Sequence, residues 1–166
     1  MNSCAASQGN ASDLRLRTLV AHVNRKKWWH SPPRDPQAYL KRGKFYASSF
    51  QEAEFWGRPI DQPERVSISN PLVGDEEDIE LALFGRALSK DRWPEGQVIE
   101  KRLDLDARIK RLALRKNFDA VLLMTPNSFA DFKATGKIPR SIELNVLEPS
   151  QPSAGELAQR RRYQDE

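Results

Sequence analysis

The chain has a single cysteine, Cys4, and two histidines, His22 and His30. One thiol cannot form an internal disulfide framework or a cysteine-rich zinc site, and two histidines exclude a multi-histidine metal centre. The lack of cysteine pairs suits a reducing compartment. No glycine-rich loop leads into a lysine, so a phosphate-cradling P-loop is excluded. Neither a serine elbow nor a usable nucleophilic cysteine stands out. No stretch approaches the roughly 20 apolar residues that span a bilayer, and the N-terminus has no apolar core of signal-peptide length. These absences remove most common enzyme classes. They predict a soluble protein without a membrane partner, cytoplasmic or delivered into the cytosol of a target cell.

What is present is enough for one domain with a real core, at 166 residues. Charged residues make up 30% and the formal net charge is +4. That permits an anionic ligand or nucleic acid without specifying either. Residues 1–13 are small and polar and are expected to be mobile. Residues 14–149 carry the domain. Residues 150–166 form a polar basic tail containing Arg160-Arg161-Arg162, compatible with a short helix over 154–163 or with no fixed structure.

Within the domain, LRLRTLVAHV (14–23) alternates and predicts a first strand running into His22 and Arg25. The loop 25–35, RKKWWHSPPRD, sets Trp28 and Trp29 among basic residues. These rings either stack on bases or plug the core. Phe45 to Ser48 reads as a short strand, and Ser49 caps a helix bearing Ala53, Phe55 and Trp56 that Gly57 and Pro59 end. Arg65 to Ser69 alternates again, and Asn70-Pro71 is expected to stop that strand. The acidic run 75–78 reads as the start of a helix to about Leu88, not as a metal cluster. A second amphipathic helix is predicted over 104–116. FDAVLLM (118–124) reads as a buried central strand, and SIELNVL (141–147) as a last strand. Glu143 sits in mid-strand, either a costly buried carboxylate or an ordinary member of a solvated face.

The motifs LVAHV, GKFYASSFQEAEFWG, VSISNPLV, NFDAVLLM and ELNVLEP occur in that order. Their order over 14–149 resembles the ADP-ribosyltransferase superfamily, in its compact toxin- and effector-like branch. The resemblance implies an α+β fold with a split β-sandwich core and flanking helices, and NAD+ as co-substrate. Glu143 matches the catalytic glutamate that opens the family's final strand motif. His22 and Ser48 would hold the ribose, with Ser48 alternatively supporting Glu143. Arg25 would contact the pyrophosphate or, in the arginine-type branch, take the place of His22, and Tyr46, Phe55 and Trp56 are the aromatic candidates for stacking on nicotinamide. Ser141 stands where arginine-modifying members carry Glu or Gln, which leaves the macromolecular acceptor, protein or nucleic acid, open. A neutralising or regulatory partner is also implied. The other reading is a catalytically inactive binding or inhibitor module on the same fold. It rests on the basic-aromatic loop and the Arg160–Arg162 run.

Overall fold

The computed structural model describes residues 4–149 and 154–164; residues 1–3, 150–153 and 165–166 of the expected terminal segments lie outside the described residues. The chain is a mixed α+β domain built on a four-stranded sheet of order β2-β6-β5-β4. In chain order the elements are α1 (Cys4–Arg25), β1 (Lys27–Trp28), α2 (Ala38–Arg42), β2 (Lys44–Tyr46), α3 (Phe50–Glu54) and β3 (Glu64–Arg65). They continue with β4 (Pro71–Gly74), α4 (Glu76–Phe84), α5 (Val98–Arg115), β5 (Ala120–Leu123), α6 (Pro126–Thr135), β6 (Glu143–Val146) and α7 (Ala154–Gln164). β4 and β5 are parallel, with α4 and α5 between them in sequence; β5–β6 and β6–β2 are antiparallel. β1 and β3 form a separate two-stranded ribbon, tied to the sheet by a bridge between Trp29 and Ala47.

Three sequence expectations are corrected. The stretch 14–23 is helix, not strand: Leu19 and Val23 are buried and Leu16 and Val20 half-buried, at a helical spacing that overrides the local Leu/Arg alternation. Residues 4–13, expected to be mobile, form the first turns of the same helix. The strand expected over 65–69 is limited to β3 at Glu64–Arg65, so Asn70-Pro71 does not end a strand. Pro71 opens β4, an edge strand, where a first-position proline removes no essential ladder bond. The Asp119 carboxylate fixes this entry, accepting from Ser69 N at 2.6 Å and Asn70 N at 2.9 Å.

The other elements follow their local chemistry. Ser49 caps α3 and Asp75 caps α4, each accepting from the backbone N–H three residues on. α5 starts at Val98, six residues earlier than its apolar stripe suggests. Gly43 has φ of 85°, and a Cβ there would strike Asn145 Oδ1 and stand 2.8 Å from the Val146 carbonyl oxygen. The tight approach of β2 to β6 therefore requires glycine at this corner.

The sheet separates two cores. Leu19, Val23, Trp28, Tyr46, Leu122 and Leu144 pack on one face beneath α1. Leu72, Ile79, Leu83, Ala113 and Val121 pack on the other beneath α4 and α5. Trp28 is fully buried and donates to Val23 O at 2.9 Å, and Trp29 packs edge-on against Phe50. Trp28 plugs the core, and Trp29 lies half-buried over it.

Candidate functional site

Glu143 opens β6 opposite Leu123 of β5, while Tyr46 of β2 pairs with Leu144. Successive strand residues face opposite sides. Tyr46 therefore shares the α1 face with Leu144, and Glu143 points to the α5 face. Its carboxylate is largely removed from water. Among the described residues no hydrogen bond reaches it. Burial, then the nearby charge of Asp106 on α5, push its pKa up to about 7 against the relief from Arg102. Asp106 is itself raised to about 6, chiefly by burial. Arg102 donates to Glu76 at 2.8 Å, and Lys90 pairs with both Glu76 and Glu80. Arg102 and Lys90 are thus committed to α4, and with Arg42 they offset the burial of Glu143 and Asp106 only in part. Among the described residues no group of acidic, His or Cys side chains is arranged to hold a metal ion.

A small cleft of about 100 Å3 opens beside Glu143, lined by Ala47, Glu52, Trp56, Ser141, Ile142 and Glu143. α3 builds its outer wall. Ala53 is buried and anchors the helix, and the turn after it leaves Trp56 60% and Phe55 83% exposed. The two rings meet edge to face at 5.1 Å. Ser48 ties down the inner wall: its hydroxyl donates to Ile142 O at 3.2 Å and accepts from Ile142 N at 3.0 Å, fixing the residue before Glu143. A flat cationic ring suits this cleft, because the Trp56 indole and the carboxyl groups of Glu52 and Glu143 line it. At about 100 Å3 the cleft holds one ring; sites that enclose whole ligands run to roughly 300–1,000 Å3.

The expected cofactor set is thus divided. Trp56 shares the cleft with Glu143, Ser48 braces it, and Phe55 stands outside on the rim. His22 and Arg25 lie in the last turn of α1, the helix packed on the Tyr46 face. The His22 imidazole is held below its ordinary pKa by burial and by Lys26 and Arg25. The Tyr46 hydroxyl donates to Glu64 at 3.2 Å, and burial with the Glu64 charge raises its pKa. A single pocket joining His22, Tyr46 and Glu143 is therefore not formed, because the sheet stands between Tyr46 and Glu143.

On the Tyr46 face lies a second polar cluster that sequence reasoning missed. Lys44 is buried, and its ammonium pairs with Glu64, at 3.2 Å to the nearer oxygen, and with Glu156 of α7. Tyr39 donates to Glu156 at 2.9 Å, and His30 Nε2 lies 2.7 Å from the same tyrosine hydroxyl. Glu156 is 0% exposed. Burial works against its charge, but the hydrogen bonds from Lys44 and Tyr39 outweigh it and hold its pKa low. The alternation Lys44, Tyr46, Ser48 carried the signal: a lysine on the inward face of a strand requires a carboxylate. Asp106 was also missed, although it extends the inward stripe of Ile109 and Leu112 by one turn.

Among the described residues no helix is long and apolar enough to cross a membrane. No protein-family model matches this chain, nor does any curated protein or solved structure.

Proposed function

We propose that the chain acts on NAD+ as an ADP-ribosyltransferase, with Glu143 as its catalytic carboxylate and Trp56 as the wall for the nicotinamide ring. The observation that carries this reading is that Glu143 and Trp56 line the same cleft. In such a reaction the bond between nicotinamide and ribose breaks with positive charge developing on the sugar. An ionised Glu143 accepts a ribose hydroxyl proton in a hydrogen bond and faces that charge. Partial burial makes the interaction stronger than it would be in water. The Trp56 face holds the cationic ring before it leaves. Ser48 keeps Ile142, and with it the start of β6, in register. Because Glu143 titrates near pH 7, turnover rises with pH through that value.

Release of nicotinamide from labelled NAD+, and transfer of label to protein or nucleic acid in a lysate, test the reading. Glu143→Gln is expected to lower turnover by about 10²–10³-fold, the range for loss of one electrostatic stabiliser. Trp56→Ala is expected to act mainly on KM. His22→Ala, on the other side of the sheet, is expected to leave turnover unchanged. Absence of nicotinamide release from the wild type, or full activity in Glu143→Gln, overturns it.

The exposure of Phe55 and Trp56 favours a second reading, a catalytically inactive binding module that anchors a protein partner on those two rings. It predicts partner binding that survives Glu143→Gln and is lost in a Phe55→Ala, Trp56→Ala double variant.

A further inference from the structure

α7 is held in an unusual way. None of its residues belongs to either hydrophobic core among the described residues, and Leu157 is 46% exposed. Its described attachments to the body are polar. Glu156 reaches Lys44 and Tyr39, and Gln159 Nε2 donates to Arg58 O at 2.8 Å. Its described residues show no apolar anchor, and an eleven-residue helix is not stable on its own. Among its described residues, Glu156 is the one buried side chain by which it reaches the body.

The socket that receives this carboxylate is assembled from the body alone. Lys44 comes from β2, Tyr39 from α2 and His30 from the segment after β1. The ammonium lies 5.2 Å from the centre of the Tyr46 ring and 5.7 Å from that of Tyr39, with Glu64 as its other partner. His30 Nδ1 is 2.6 Å from Phe45 O, which fixes the imidazole beside Tyr39. Lys110 donates to Tyr39 O and Leu40 O, at 3.2 and 2.6 Å, and pins α2. These supports come from the body, and they aim the donors at one point.

We propose that the Lys44–Tyr39 socket is a binding site for a carboxylate or phosphate group, that Glu156 is its built-in occupant, and that a free anion binds there by displacing α7. An ammonium and a hydroxyl converging on one acceptor group recognise either anion. The tether makes Glu156 a high-concentration competitor, so the free anion binds only as fast and as far as α7 lifts. Displacement also releases the Gln159 contact to Arg58, two residues after Trp56.

The test is hydrogen exchange on the full chain in chloride, acetate and inorganic phosphate at matched ionic strength. Phosphate or acetate is expected to accelerate exchange of the α7 amides about tenfold while β5 and β6 stay protected. Response to phosphate alone identifies a phosphoryl group as the ligand, and response to acetate alone a carboxylate. Glu156→Gln is expected to raise affinity for the effective anion about tenfold by weakening the competitor. Tyr39→Phe, which keeps the ring in place, is expected to reverse that gain. Equal α7 exchange in all three salts, together with no gain of affinity in Glu156→Gln, overturns the proposal.

Discussion

The two faces of the sheet treat a glutamate in opposite ways. Glu156 is completely buried, yet Lys44 and Tyr39 hold it ionised. Glu143 is less buried, yet burial and Asp106 drive it toward the protonated form. Burial therefore does not decide the charge state; the partners that arrive with the carboxylate do. Near Glu143 the cations Lys90 and Arg102 are engaged by Glu76 and Glu80. One face uses its carboxylate as a fastener, and the other leaves its carboxylate available for work.

The comparison breaks most readily at Lys44. Lys44→Met leaves Glu64 and Glu156 facing each other without the ammonium, and is expected to cost about 3–5 kcal/mol in denaturant unfolding. A loss below 1 kcal/mol would mean that water reaches this cluster and that the two faces are alike. Glu143→Gln is expected to do the reverse and stabilise the fold by as much as about 3 kcal/mol at pH 8. The raised pKa means that the folded state binds more protons than the unfolded state between the ordinary value of 4.5 and about 7. Wild-type stability should therefore fall as pH rises through that window, with Asp106 adding to the fall from its own lower range. The Gln variant should show a shallower fall. A steeper fall would place the strain elsewhere. Ser48→Ala sharpens the contrast with a smaller effect. Loss of its two bonds to Ile142 is expected to cost about 1–2 kcal/mol and to raise KM for any ligand of the cleft, as read by unfolding and kinetics on one preparation.

Much of the fold was legible where a single residue dictates the backbone. The caps Ser49 and Asp75 and the apolar run of β5 each follow from local chemistry. The opening helix was not, because four residues of Leu/Arg alternation mimic a strand, and only the spacing of Leu16, Leu19, Val20 and Val23 reveals the helical stripe. Pro71 was misread because edge position is a property of the finished sheet, not of the Asn-Pro pair. For the site, the sequence named Glu143 and, as one of three candidate aromatics, Trp56, and these two share a cleft. It also grouped them with Tyr46 and His22, which lie on the far face. Which side of a sheet a residue takes is settled by register with strands about 100 residues away, and no local pattern near Tyr46 carries that information. Glu156 was hidden for the same reason: its partner Lys44 is 112 residues distant, in a tail that lacks an apolar stripe.

The pairing of β2 with β6 has a consequence for how the chain is made. Arg42 and Asn145, joined across this seam, are 103 residues apart. During synthesis β2 emerges long before its only neighbour in the four-stranded sheet exists. β4, α4, α5 and β5 form a more local unit and can assemble first, while β2 waits as an unpaired edge with a lysine turned inward. β6, the last of the four strands to be made, supplies the seam that joins β2 to β5. A nascent chain halted before residue 143 should accordingly protect the amides of β4 and β5 while leaving those of β2 open to exchange.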